Sequence, residues 1–208
     1  LLGRITIDDV VDVIREEADD SVLNMAGLKK EDDIFAPIIQ STKRRSLWLG
    51  ANLITALLAA AAIGLFEATI EKIVALAILM PIVASMGGIA GMQSLALVIR
   101  SQALDQIGSS NSKLLIFKEA AIGFLNGILW SSVVSLLVFL WFDSIFLGFV
   151  IAVALMINLV IGAISGVTLP LILSKLKIDP ALAGGVILTT ITDVIGFISL
   201  LGIATLMM

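Results

Sequence analysis

The sequence contains no cysteine and no histidine. Disulfides, thiolate catalysis, serine–histidine triads and imidazole-based zinc or iron sites are excluded with them. The only metal ligands left are oxygens, which suit hard cations such as magnesium, calcium or manganese. Charge is also scarce: Asp, Glu, Lys and Arg make up 14% of the chain against 59% hydrophobic residues. Soluble domains are about 45–50% apolar, so this is the composition of an integral membrane protein. No basic face is present, and no nucleic-acid partner is expected. The N-terminal stretch is acidic and amphipathic, so it does not read as a signal peptide.

The charge that exists is unevenly placed. Residues 1–33 carry ten acids, including Asp8, Asp9, Asp12, Glu31, Asp32 and Asp33, against four bases. The start of this segment reads as a short strand, Arg4 to Ile7, then a helix. Thr6 or Asp8 would cap that helix, and Val10, Val11 and Ile14 form its apolar stripe. It is too short to bury a core, so it reads as the end of a larger soluble domain. A second helix is expected from about Lys30 to Gln40, with Pro37 in its first turns or kinking it. The acids have two readings: a solvated face, or a cation sensor whose carboxylates repel until a divalent ion bridges them.

After the basic run Lys43–Arg45 come five apolar stretches, about 46–66, 73–99, 114–142, 145–173 and 181–207. Each is long enough to span a bilayer as a helix. The expected fold is an all-α membrane protein: five transmembrane helices preceded by a short cytosolic amphipathic helix segment. The third stretch is overlong, which places Lys118 and Glu119 in the interface. Lys43, Arg44, Arg45, Arg100, Lys113, Lys118, Lys175 and Lys177 fall on one side and Lys72 on the other. The positive-inside rule then makes the N-terminus cytoplasmic and Met208 external, in a multi-pass cell-membrane protein. Trp48 and Trp141 read as interface anchors and Trp130 as an interior packing residue.

The fifth stretch holds one ionisable residue, Asp193, near its middle. Such an acid normally faces water, a partner or an ion. On a helix, Thr189, Thr190 and Gly196 share its face. The alternative is a structural aspartate bonded to Thr189, Thr190 or a neighbouring helix. The second stretch carries Pro81, Gly87, Gly88, Gly91 and Gln93, and reads as a weakened, broken helix lining a cavity. Gly123/Gly127 and Gly162/Gly166 read as packing pairs, while Gly87/Gly91 reads as packing and pore lining together. Asn126, Asn158 and Gln93 are expected to form interhelical hydrogen bonds, with Gln93 the best ligand candidate among them. An intramembrane aspartyl protease needs two aspartates per site and its motif is absent, so no enzymatic activity is expected.

Three segments carry a family resemblance. PIVASMGGIAGMQSLALVIRSQALDQI and TTITDVIGF resemble the second and fifth membrane helices of the MgtE family of magnesium channels. GRITIDDVVDVIREEADD with the later MAG resembles the end of that family's second CBS domain, leading into a connecting or plug helix. The resemblance implies three parts: a CBS remnant at 1–28, a plug helix at 29–45 and a pore domain at 46–208. It further implies a homodimer in the lipid bilayer, with a central pore lined by second and fifth helices of both subunits. Asp193 would bind hydrated Mg2+ there, and cytosolic Mg2+ would regulate the gate. A related branch implies an alternative, a sodium- or proton-coupled magnesium exchanger. Where the family usually reads GGNAG, this chain reads GGIAG with Ile89, and Met92 stands where threonine is common.

Overall fold

A computed structural model describes residues 6–28, 35–104, 106–107 and 111–208. Among these there is no strand. Seven helices follow in order: α1 (Ile7–Met25), α2 (Ile38–Gly64), α3 (Glu67–Lys72), α4 (Ala75–Ala103), α5 (Ser112–Phe142), α6 (Ile145–Lys175) and α7 (Pro180–Met207). Five of them, α2 and α4 to α7, are long and apolar enough to cross a membrane. The shortest of the five has 27 residues. At 1.5 Å per residue that is about 40 Å, beyond the ~30 Å hydrocarbon core.

The helix ends follow from local chemistry. Asp143 adopts the left-handed conformation that stops α5, and the Ser144 hydroxyl accepts from the Leu147 N–H to start α6. Asp179 accepts from the Ala181 N–H at 2.8 Å, and Pro180 occupies the first turn of α7. Gly27, at φ +72°, closes α1, with its own N–H bonded to the Asn24 carbonyl. A side chain at Gly27 would collide with the Trp48 indole, so glycine is required there twice over. Asn24 also donates to Asp179 at 2.9 Å, tying the end of α1 to the start of α7.

α6 is the hub. It packs against α4, α5 and α7, whereas α2 leans chiefly on α7 and stays largely exposed. One core cluster joins Leu76, Leu79 and Val83 of α4 to Val150, Ile151 and Ala154 of α6 and Leu200, Leu201 and Ala204 of α7. A smaller one joins Leu95 and Ile99 to Ala181 and Leu188. Lipid is as apolar as leucine, so close van der Waals fit rather than hydrophobic burial selects these contacts. Glycine makes the fit: a Cβ on Gly162 would lie 2.6 Å from the Gly87 carbonyl, and one on Gly123 would lie 3.1 Å from the Leu159 carbonyl.

Several sequence expectations are corrected. The second span is unbroken: α4 runs continuously through Pro81 and the glycines. Proline removes one N–H, but the glycines lie flat on α6, which holds the backbone helical. The second cytosolic helix does not run unbroken to Gln40. Residues 35–37 are non-helical, Pro37 is the N-cap, and α2 carries Lys43–Arg45 into the first span without a break. Ile7 is helical rather than extended, while Arg4, Ile5 and residues 29–34, including Glu31, Asp32 and Asp33, lie outside the described residues. Trp130 is 44% exposed and faces outward. Glu119 is turned inward and is 8% exposed, while Lys118 stays exposed. The segment between the first two spans holds a helix of its own, α3, whose Thr69 hydroxyl meets that of Thr205 at 2.7 Å.

At the start of α1, the Thr6 backbone N–H and hydroxyl both donate to the Asp9 carboxylate, at 2.8 and 2.7 Å. The Asp9 carboxyl is held below the usual aspartate range, first by the Thr6 backbone N–H and then by its hydroxyl. The hydroxyl is the main cause of the same lowering at Asp8. Carboxyls depressed in the folded helix stabilise it above the unfolded value of about 3.9, and the effect is lost as pH falls through their lower folded values. Thr6→Ala keeps the N–H and removes the hydroxyl. Asp8 should therefore return toward the ordinary range more fully than Asp9, as read by carboxyl-carbon NMR titration. Unmoved midpoints would mean that Thr6 does not set them.

Candidate functional site

The site is built from one face each of α4 and α7. Residues 84, 88, 92 and 96, and 85, 89 and 93, recur at helical spacing and form a single wall. Thr189 and Asp193, one turn apart on α7, face that wall across an open groove of about 590 Å³. Ile89 is 56% exposed on the groove's outer lip.

The polar atoms of the groove are mostly acceptors. The Thr189 hydroxyl donates to the Gly185 and Val186 carbonyls, both at 3.1 Å. Its hydrogen is thereby used on its own helix, and its lone pairs are left free. Asp193 is partly buried, and its carboxylate takes no hydrogen bond or ion pair from any described residue. The structural-aspartate alternative called for a bond to Thr189, Thr190 or a neighbouring helix; Thr190, like Thr189, donates to its own helix, to the Val186 carbonyl at 2.7 Å, and no described residue of another helix bonds the carboxylate. A carboxylate within a membrane-spanning helix is costly unless it faces water, a partner or an ion. Among the described residues no three His, Cys, Asp or Glu side chains converge on a metal site. One carboxylate plus hydroxyl and amide oxygens cannot strip six waters from a magnesium-sized ion, so the groove suits a cation that keeps its hydration shell.

Of the residues singled out from the sequence, Asp193, Thr189, Gly88 and Gln93 come together in the groove. Thr190 is partly buried on α7 outside the groove lining. Gly87, Gly91 and Gly196 do not line it; all three are buried between helices of the same subunit. A Cβ on Gly91 would lie 2.8 Å from Leu188 and 3.0 Å from the Gly162 carbonyl. Asp8, Asp9 and Asp12 are exposed along α1, where Asp12, Glu16, Asp19 and Asp20 border a shallow acidic depression shared with Arg15. Ser85 was missed as a lining residue. The i, i+4, i+8 series 85–89–93 was the signal for it.

Behind the groove stands Asn158 of α6, fully buried, its amide nitrogen donating to the Val83 carbonyl at 2.8 Å. The expected interhelical hydrogen bond of Asn158 is thus present. Asn126, by contrast, is exposed on α5 with no hydrogen-bond partner among the described residues. The Asn158 amide lies in a slot made by two glycines: a Cβ on Gly196 would come within 2.7 Å of its nitrogen, and one on Gly87 would collide outright. Its Oδ1 is buried and accepts nothing from the described residues. A half-satisfied buried amide costs about 1–3 kcal/mol, so stability does not explain it. The amide fills the space between α4 and α7 at Gly87 and Gly196.

The chain is thus an all-helical, multi-pass membrane protein with a mainly apolar groove into which Ser85, Gln93, Thr189 and Asp193 bring the polar groups. Residues 80–203 match the family model MgtE, described as a divalent cation transporter, and the chain belongs to that family. It is 36% identical over 205 residues, 99% of its length, to the magnesium transporter MgtE of Bacillus subtilis. It is 31% identical over all of its length to the protein of the same name from Enterococcus faecalis, and 28% identical to that from Thermus thermophilus. The chain spans 46% of the length of each of these relatives, about half.

The slot makes a direct prediction. Gly87→Ala drives a methyl group into the Asn158 amide and should destabilise the protein by about 1–3 kcal/mol. Asn158→Ala combined with Gly87→Ala should recover part of that loss, because the amide is gone. Thermal unfolding in detergent measures both. A Gly87→Ala protein as stable as wild type would mean that the slot is not tight.

Proposed function

We propose that this chain is the membrane part of a magnesium transporter, in which hydrated Mg2+ passes along the α4–α7 groove and is held by Asp193. The carrying observation is the Asp193 carboxylate, without a partner among the described residues and turned into an open groove opposite an α4 wall that includes Ser85 and Gln93. The relatives, magnesium transporters by name, supply the ion. Because one groove offers one carboxylate, two copies related by a two-fold axis, each turning its groove inward, give the paired acids that a divalent ion requires. The exposed apolar flank of α4, with Ile89 and Leu97, supports that homodimer. In this reading the N-terminus is cytoplasmic and Met208 external, since Lys43–Arg45, Arg100, Lys113, Lys175 and Lys177 share one end of the bundle.

The same reading takes residues 1–28 as the end of a CBS domain, followed by the connecting segment that enters α2. Divalent ions neutralising the acids of Asp8, Asp9, Asp12 and Glu31–Asp33 would hold the gate closed through α1, which docks on the start of α7.

Reconstituted in liposomes, the protein should take up Mg2+, and Asp193→Ala should lower uptake about tenfold or more, equivalent to ~1.4 kcal/mol or above. Asp193→Asn, which keeps an acceptor and loses the charge, should retain flux with weaker divalent preference. A folded Asp193→Ala protein with wild-type uptake rules out the groove as the ion path. Uptake that stops when the sodium and proton gradients are collapsed identifies an exchanger. Ile89→Asn, on the groove lip, should change the magnesium-over-calcium ratio. Identical ion ranking would make Ile89 a packing residue only.

A further inference from the structure

One buried ionisable group plays no part in this mechanism. Glu119 of α5 is 8% exposed, and its one partner among the described residues is the Ser94 hydroxyl, at 2.7 Å from Oε2. Ser94 is 4% exposed and lies on the far side of α4 from the groove. At 100° per residue its face is shared by Val83, Gly87, Gly91 and Val98, all buried, while Ser85, Ile89 and Met92 point the opposite way. Glu119 therefore cannot touch an ion in the groove, and anything it does for transport it does through α4.

The packing makes that route specific. α4 and α5 scarcely touch one another, because α6 stands between them and both lie against it. The Glu119 side chain nevertheless reaches Ser94. Side chains interlock α4 with α6 in its first half, at Leu76, Leu79 and Val83, but around Gly87 and Gly91 the contact is bare glycine backbone on Gly162 and Gly166, which sets separation and offers little stop against sliding or rotation. Directional bonds provide the stop, and among the described residues α4 has three with other helices: Asn158 on the Val83 carbonyl, Ser94 on Glu119 at 2.7 Å, and a longer one at its C-terminal end, Ser174 on Gln102 at 3.4 Å. The groove wall lies between and around the first two, which are the buried and shorter ones.

We propose that Glu119 is a positioning residue for ion transport: through Ser94 it fixes the C-terminal half of α4, and with it Met92 and Gln93, opposite Asp193. This rests on the groove's being the ion path. The absence of cysteine allows the positional claim to be tested separately, by spin labels at Leu97→Cys on α4 and Ile122→Cys on α5. Wild type should give a narrow label–label distance distribution, Ser94→Ala and Glu119→Ala broader ones, and Glu119→Gln, which keeps the hydrogen bond, a narrow one. In liposomes, Ser94→Ala and Glu119→Ala should each shift the half-saturating Mg2+ concentration or the Mg2+/Ca2+ uptake ratio by about threefold, the scale of one interhelical hydrogen bond in a membrane. The double variant should be no worse than either single one, and Glu119→Gln should stay near wild type. If Glu119→Ala fails to fold, Ser94→Ala, which loses only a hydroxyl, carries both measurements. Distances and ion ranking unchanged in Ser94→Ala overturn the proposal, as does a Glu119→Gln protein as impaired as Glu119→Ala, which would mean that charge and not the bond is needed. Wild-type protein that takes up no Mg2+ overturns the transport reading instead, and the label distances still decide the role of Glu119.

Discussion

Everything in this molecule depends on how closely α4 can lie on α6. Inside a membrane, apolar side chains gain nothing by leaving lipid for one another, so helices associate through contact area and hydrogen bonds. Bare backbone at Gly87 and Gly91 against Gly162 and Gly166 brings the two helices together, and the Val83 carbonyl then comes within reach of Asn158. α4 lies flat against the hub and packs on α7 at Leu95 and Leu188, and the side turned away from the hub is left to line the groove. The groove is therefore the reverse of a packing surface: the same four turns of helix serve both, and residues one position apart, such as Gly87 and Gly88, belong to different worlds.

That adjacency explains what the sequence disclosed and what it hid. Five long apolar stretches and a single acid in the last of them are visible in one dimension, because length and composition decide whether a helix spans a bilayer. Asp193 was legible for the same reason. The role of each glycine was not. Gly87, Gly88, Gly91 and Gly196 are chemically identical, and only the azimuth of each on its helix separates the one that lines the groove from the three that vanish into packing. Azimuth relative to a neighbour is a tertiary property. Pro81 misled in a related way: it weakens a helix in isolation, but the surface supplied by α6 keeps α4 continuous.

The sequence placed Glu119 by depth, near the start of an overlong apolar stretch, and left open the direction in which it faces. The partner that turns it inward, Ser94, lies 25 residues away in sequence, and serine in a membrane helix gives no signal by itself. Ser94 is the kind of partner that only coordinates reveal. Trp130, read as interior and found on the outer face, shows the converse: a large side chain at mid-span has no compulsion to hide when lipid is the surrounding solvent.

The continuity of α2 has a mechanical consequence. Lys43–Arg45 and the first membrane-spanning turns belong to one helix of 27 residues, supported mainly along α7. Such a rod, about 40 Å long, has no joint in which an angular displacement at the Ile38 end can dissipate. A tilt of about 5° about its midpoint moves each end by roughly 2 Å, in opposite directions. The element is in effect a first-class lever with α7 as its fulcrum, and the helix on which it bears is the one that carries Asp193.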